Sequence, residues 1–153
     1  MKSILVPIDF SKSSDYIIEE AVEFAKSAHA KIYLLHVASL DLGFVIGDTG
    51  FQYMPELEAA GMKSETDELS KYEEKIKQEN LDVEIFIKQG IPSEVVLQTA
   101  DEKDIDIIVM GSHGRGFFME AILGSVSRGV IKGAKIPVLI IPREKLRKNN
   151  KGK

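Results

Sequence analysis

Five short runs of branched apolar residues, separated by longer amphipathic stretches, constrain the fold of this chain most strongly. The runs are Ser3–Ile8, Lys31–Val37, Val83–Ile87, Ile105–Met110 and Pro137–Ile141. They are rich in Val, Ile and Leu without clean polar alternation, the pattern of strands covered on both faces. The stretches between them carry apolar residues at helical spacing. Ile17, Ala21, Phe24, Ala25 and Ala28 form one stripe, with Ser11 or Ser13 as the N-cap. A second helix is expected to start with Pro55 at its first position and to bury Leu69, Tyr72 and Ile76. A third starts near Pro92 and buries Val95, Val96, Thr99 and Ala100. A fourth starts close to Gly124, turns Val126, Val130 and Ile131 inward and stops near Gly133. Strand and helix alternating to a final strand predict an α/β fold, a doubly wound five-stranded parallel sheet with right-handed crossovers.

Residues 39–54 break this rhythm. Gly43, Gly47 and Gly50 are scattered among Phe44, Val45, Ile46, Phe51 and Tyr53. A loop of this length in a small domain usually serves function, and its apolar content points to a lid or a partner surface.

The chain of 153 residues is long enough for one well-buried domain, and no linker or internal repeat is visible. The expected division is a single domain over 1–142 and a basic tail over 143–153. The tail has six cationic residues against Glu144, a net +5; with −4 for the whole chain, the body stands near −9. An acidic body argues against nucleic acid as a partner, and a solvated, frayed terminus is the ordinary fate of such a tail. With no cysteine, neither a disulfide framework nor a thiolate metal site is possible. No segment approaches the roughly 20 apolar residues that span a bilayer, and Ile4–Ile8 is too short for a signal sequence. A cytoplasmic protein without membrane attachment is expected.

Ligands of open α/β sheets bind beyond the carboxyl ends of the strands, where the strand order reverses. The fourth strand ends at Met110-Gly111 and is followed by Gly114, then by Gly124-Ser125 at the start of the fourth helix. Gly111 and Gly114 let the backbone approach an oxygen without an intervening Cβ and permit positive φ. Gly124-Ser125 place unpaired N–H groups and a hydroxyl where the helix dipole is positive, which suits phosphate. Ser127 can reach the same phosphates from the first turn, and Arg115 can offset their charge. Ser125 can equally cap the helix. His113 either meets the ligand or faces solvent, and His36 packs at the end of the second strand. Phe117, Phe118 and Met119 form either a cover over the site or a core or dimer contact. The three histidines lie apart, without metal-ligand spacing.

Two common nucleotide signatures are absent. The turn after the first strand, Pro7-Ile8-Asp9-Phe10-Ser11, has no glycine, which excludes the dinucleotide fingerprint. Gly111 and Gly116 have the glycine spacing of a P-loop, but Phe117-Phe118 stands where lysine and a hydroxyl are needed.

The pattern Gly111-x2-Gly114-x9-Gly124-Ser125 closely resembles that of the ATP-binding subgroup of the universal stress protein family. Ile4-Leu5-Val6-Pro7-Ile8-Asp9-Phe10-Ser11, Leu35-His36-Val37, Gly90-Ile91-Pro92 and Pro137–Ile141 extend the resemblance over nearly the whole chain. No motif position departs from the family's pattern. The resemblance implies a flavodoxin-like, Rossmann-like strand order 3-2-1-4-5, ATP at the strand ends, and a homodimer paired through the last strand, Val138–Ile141. It implies that Asp9 serves the adenosine end, that Pro7 and Ile8 line the pocket, that the Val37 backbone reads the adenine edge and that Met110 packs nearby. Gly111 and Gly114 would wrap ribose and phosphates, and Gly124, Ser125, Val126 and Ser127 would hold the phosphates. Mg²⁺ or Mn²⁺ would accompany the triphosphate.

A regulatory protein in the stress response, switched by bound ATP, is the leading expectation. Hydrolysis needs a group that orients water in line with the γ-phosphate, and none is obvious within the motif, so any turnover is expected to be slow. The remaining alternative is a non-catalytic dimeric scaffold, either without nucleotide or sensing AMP or another adenine nucleotide. The apolar edge strand Val138–Ile141 calls for a partner strand.

Overall fold

A computed structural model of the chain describes residues 2–113 and 123–142. The elements in chain order are β1 (Lys2–Ile8), α1 (Ser14–Ala28), β2 (Ala30–Ala38), β3 (Phe44–Gly47), β4 (Gly50–Tyr53), α2 (Pro55–Gln78), β5 (Val83–Gln89), α3 (Pro92–Glu102), β6 (Ile107–Gly111), α4 (Ser125–Gly133) and β7 (Val138–Ile141). Five strands form one parallel sheet in the order β5-β2-β1-β6-β7. Counting only the strands of this sheet, that is the expected order 3-2-1-4-5.

Alternate residues of each strand face opposite layers. Ile4, Val6 and Ile8 of β1 pack with Ile17, Ala21 and Ala25 of α1 and with Leu69 and Ile76 of α2. Leu5 of β1 faces the other way and joins Val95, Val96 and Ala100 of α3 and Val130 of α4. Ile4, Leu5 and Val6 are wholly buried, so no position in the middle of β1 is left for a polar residue. This two-sided burial explains the unbroken apolar runs. Of the expected inward residues of α4, Val130 is buried but Ile131 is 42% exposed. The helix is short and meets the sheet along a narrow stripe, which leaves Ile131 at its side.

Residues 39–54 are more ordered than a loop. β3 and β4 form a separate antiparallel pair, with Phe44 opposite Tyr53 and Ile46 opposite Phe51. Pro55 stands at the first turn of α2, as its missing N–H allows. Among the described residues no helix is long and apolar enough to cross a membrane.

The strand order reverses between β1 and β6, which pair directly in parallel through Ile4–Ile107 and Leu5–Ile108. The turn after β1 and the turn after β6 therefore open onto one crevice.

Candidate nucleotide-binding crevice

Asp9 leaves β1 and folds back on its own turn, its Oδ1 accepting the Ser11 N–H at 2.9 Å. The next residue, Phe10, has φ of +58°, a left-handed conformation that costs an L-residue about 1–2 kcal/mol. Its ring offsets that cost by packing 4.1 Å from the His36 ring and 6.4 Å from Tyr72, centroid to centroid. His36 is buried at the end of β2, and its Nδ1–H donates to the Ile8 carbonyl at 2.9 Å. The opposite nitrogen, Nε2, lies 3.2 Å from a Glu65 carboxylate oxygen of α2, off the line of an aligned hydrogen bond. The rim of the crevice is thereby tied to β1, β2 and α2 together.

On the far side, Gly111 ends β6. A Cβ there would come within 2.5 Å of Ile17 Cδ1 on α1. Its φ is not positive, so the glycine is required by this close approach and not by backbone conformation, contrary to the expectation from sequence. At Gly90, before α3, φ is +153° and a Cβ would also meet Val95 at 2.6 Å, so both reasons apply.

The start of α4 corrects three expectations. Gly124, not Ser125, is the N-cap, and Ser125 is the first helical residue. The Gly124 N–H is engaged, donating to the Ser112 carbonyl at 2.7 Å. The Ser127 hydroxyl is buried and donates to the carbonyl of Gly111 at 2.8 Å, with Ser112 at 3.2 Å, so it is engaged with backbone although the residue lines the crevice. The first bond of the helix runs from Arg128 N–H to Gly124 O at 3.0 Å. The amides of Ser125, Val126 and Ser127 precede it and are the first-turn donors that helix geometry leaves open.

Two connected hollows fill the crevice. An apolar slot of about 100 Å³ is lined by Pro7, Ile8, Val37, Met110 and Val126 together with Ile17 and Val96. A wider lobe of about 520 Å³ includes Gly124, Ser125, Gly90 and Glu65. Asp9, Val37, Pro92, His113 and Val126 border both. His113 also has its Nδ1 2.8 Å from Ser112 Oγ. Gly114, Arg115 and Phe117–Met119 lie outside the described residues, as does the tail 143–153. The sequence reading missed Ile17, Val96 and Glu65. The first two look like any inward helical residue, and Glu65 looks like one more solvated charge on α2.

A parallel sheet with a crevice of amides and apolar side chains at its reversal point defines an α/β protein with a site suited to a nucleotide-like ligand. The chain belongs to the universal stress protein family, whose model matches residues 1–142. It is 33% identical to universal stress protein MJ0577 of Methanocaldococcus jannaschii, over 94% of this chain and 96% of that one. The solved structure of MJ0577 superposes with a TM-score of 0.74 at 30% identity, covering 93% of this chain and 96% of its own. Two further solved structures share the fold. A universal stress protein in complex with cAMP gives a TM-score of 0.66 at 22% identity, over 92% and 96% of the two chains. The Archaeoglobus fulgidus protein in complex with dAMP gives 0.64 at 23%, over 92% and 98%.

Proposed function

We propose that this chain is a cytoplasmic regulatory protein of the stress response that binds an adenine nucleotide, ATP foremost, in the crevice between β1 and β6. One observation carries the reading: the apolar slot and the adjoining lobe meet at the first turn of α4, where the amides of Ser125, Val126 and Ser127 stand open. The slot suits a flat base, and the amides with the Ser125 hydroxyl suit phosphate oxygens. Asp9, at the border of slot and lobe, is placed for the ribose or the base edge.

Among the described residues no three His, Asp or Glu side chains gather to hold an ion. Mg²⁺ or Mn²⁺ would therefore be bound chiefly through the phosphates and would neutralise their charge. Among the described residues the carboxylates bordering the lobe are Asp9, engaged with the Ser11 amide, and Glu65, against His36. Neither is held ready to orient water, which favours a binder over a hydrolase. A second reading, recognition of AMP or a cyclic adenine nucleotide, draws support from the relatives of this fold that hold cAMP and dAMP.

Calorimetric titration with ATP, AMP and cAMP tests both readings. Gly124→Val, which puts a branched side chain into the phosphate lobe, should weaken binding at least tenfold. ATP binding as tight in that variant as in the wild type would sink the reading. A hydrolase would convert the bound ATP; a binder returns it intact on denaturation, which mass spectrometry of the released nucleotide reads directly.

A further inference from the structure

The β3–β4 hairpin exposes an apolar face that no described element covers. Its cross-strand pairs put Phe44, Ile46, Phe51 and Tyr53 on one side of the two-stranded sheet. They are 49%, 81%, 79% and 50% exposed, and Met54 and Leu57, next along the chain, are 40% and 44% exposed. The base of the hairpin is built. Met54 N–H donates to the Gly43 carbonyl at 2.8 Å, the Tyr53 hydroxyl bonds Glu58, and Leu42 seats against Gly61, where a Cβ would lie 2.8 Å from it. A hairpin of two strands is marginal alone, and apolar patches of this kind are usually contact sites.

Charge says what covers it. From residue 38 to residue 62 the chain has Asp41, Asp48, Glu56 and Glu58 and no Lys, Arg or His. Among the described residues none of these four carboxylates pairs with a cation; the Asp41 and Glu58 side chains bond a serine and a tyrosine hydroxyl. An acid-only rim repels an anionic lipid surface and nucleic acid. A second copy would set the same acidic rim against itself. The surface matches a polypeptide with apolar anchors flanked by Lys or Arg.

We propose that the β3–β4 face is a docking surface for a cationic amphipathic segment of a partner protein. The apolar side chains supply the contact area, and the rim steers the partner and fixes its charge.

The test uses the full chain and two synthetic amphipathic peptides, one of leucine and lysine, the other of leucine and glutamate, with anionic phosphatidylglycerol vesicles as a further probe. The leucine–lysine peptide should bind in a salt-sensitive way, and the other two probes should not. Ile46→Ser/Phe51→Ser, at exposed positions, should lower that affinity about tenfold or more while leaving the melting temperature near that of the wild type. Asp48→Lys/Glu56→Lys should weaken it several-fold and flatten the salt dependence. Each of four results would overturn the proposal: no binding of the leucine–lysine peptide; equal binding of the leucine–glutamate peptide or of vesicles; affinity unchanged in both variants; or an oligomer that dissociates in the hairpin variant, which would make a second copy the occupant. None of these readouts depends on the nucleotide crevice.

Discussion

The Ser127 hydroxyl, in the first turn of α4, donates to the carbonyl of Gly111, the last residue of β6, at 2.8 Å. This bond joins the two ends of the segment that carries the glycine motif, because Gly111 closes the strand and Ser127 lies just past the helix start. The neighbouring Ser125 is exposed and faces the lobe instead.

Two serines two residues apart should therefore respond differently. Ser127→Ala takes the hydroxyl donor from the Gly111 carbonyl, while Ser112 keeps the Gly124 N–H, and should cost about 1–3 kcal/mol of stability. Ser125→Ala should leave stability within about 0.5 kcal/mol of wild type and weaken ATP binding several-fold. Thermal melts and calorimetry on both variants separate the roles; equal losses of stability would refute the assignment.

Gly111→Ala should destabilise by about 1–3 kcal/mol, because the added methyl meets Ile17 Cδ1 in a packed interior. Ile17→Val removes that atom. The double variant should then be more stable than the sum of the two single losses predicts, and denaturant titration of the three proteins measures the coupling.

Asp106 accepts from the Ser3 backbone N–H at 2.8 Å and from the Ser3 hydroxyl at 3.1 Å. The backbone bond, then the hydroxyl, holds its carboxyl below the ordinary value of 3.8. The fold thus favours the ionised form. Its contribution is present above the ordinary value and is lost as pH falls from there through the lowered one. Urea denaturation should give wild type an advantage over Asp106→Asn near neutrality that shrinks in this acid range. A gap that stays constant on acidification would exclude the linkage.

β7 lies at an edge of the sheet, and its Leu139 is 39% exposed. If two copies pair through this strand, Leu139→Lys should turn the dimer into a monomer by light scattering at micromolar concentration. The same mass for both proteins would dismiss β7 as the contact.

Much of the architecture was legible because its signals are local and repeated. Each strand of the main sheet is an apolar run, and each helix has a stripe and a start signal, as at Pro55 and Pro92. The hairpin was not legible. Its turn, Gly47-Asp48-Thr49-Gly50, lacks the Asn-Gly or Asp-Gly pair that marks tight hairpins, and its strands are four residues each. Nor could sequence tell that Glu65 would meet His36, since a glutamate on a charged helix face has no mark of its partner.

By itself the sequence determined the class of fold, the strand order implied by family resemblance and the place of the crevice, because periodicity and glycine spacing act over a few residues. Tertiary structure alone decided what each group near the crevice does. Gly111 is small because α1 presses on it, and the Ser127 hydroxyl is taken because the carbonyls of Gly111 and Ser112 at the end of β6 lie over it. Both facts depend on atoms brought together from far apart in the chain, and no local pattern records such a meeting.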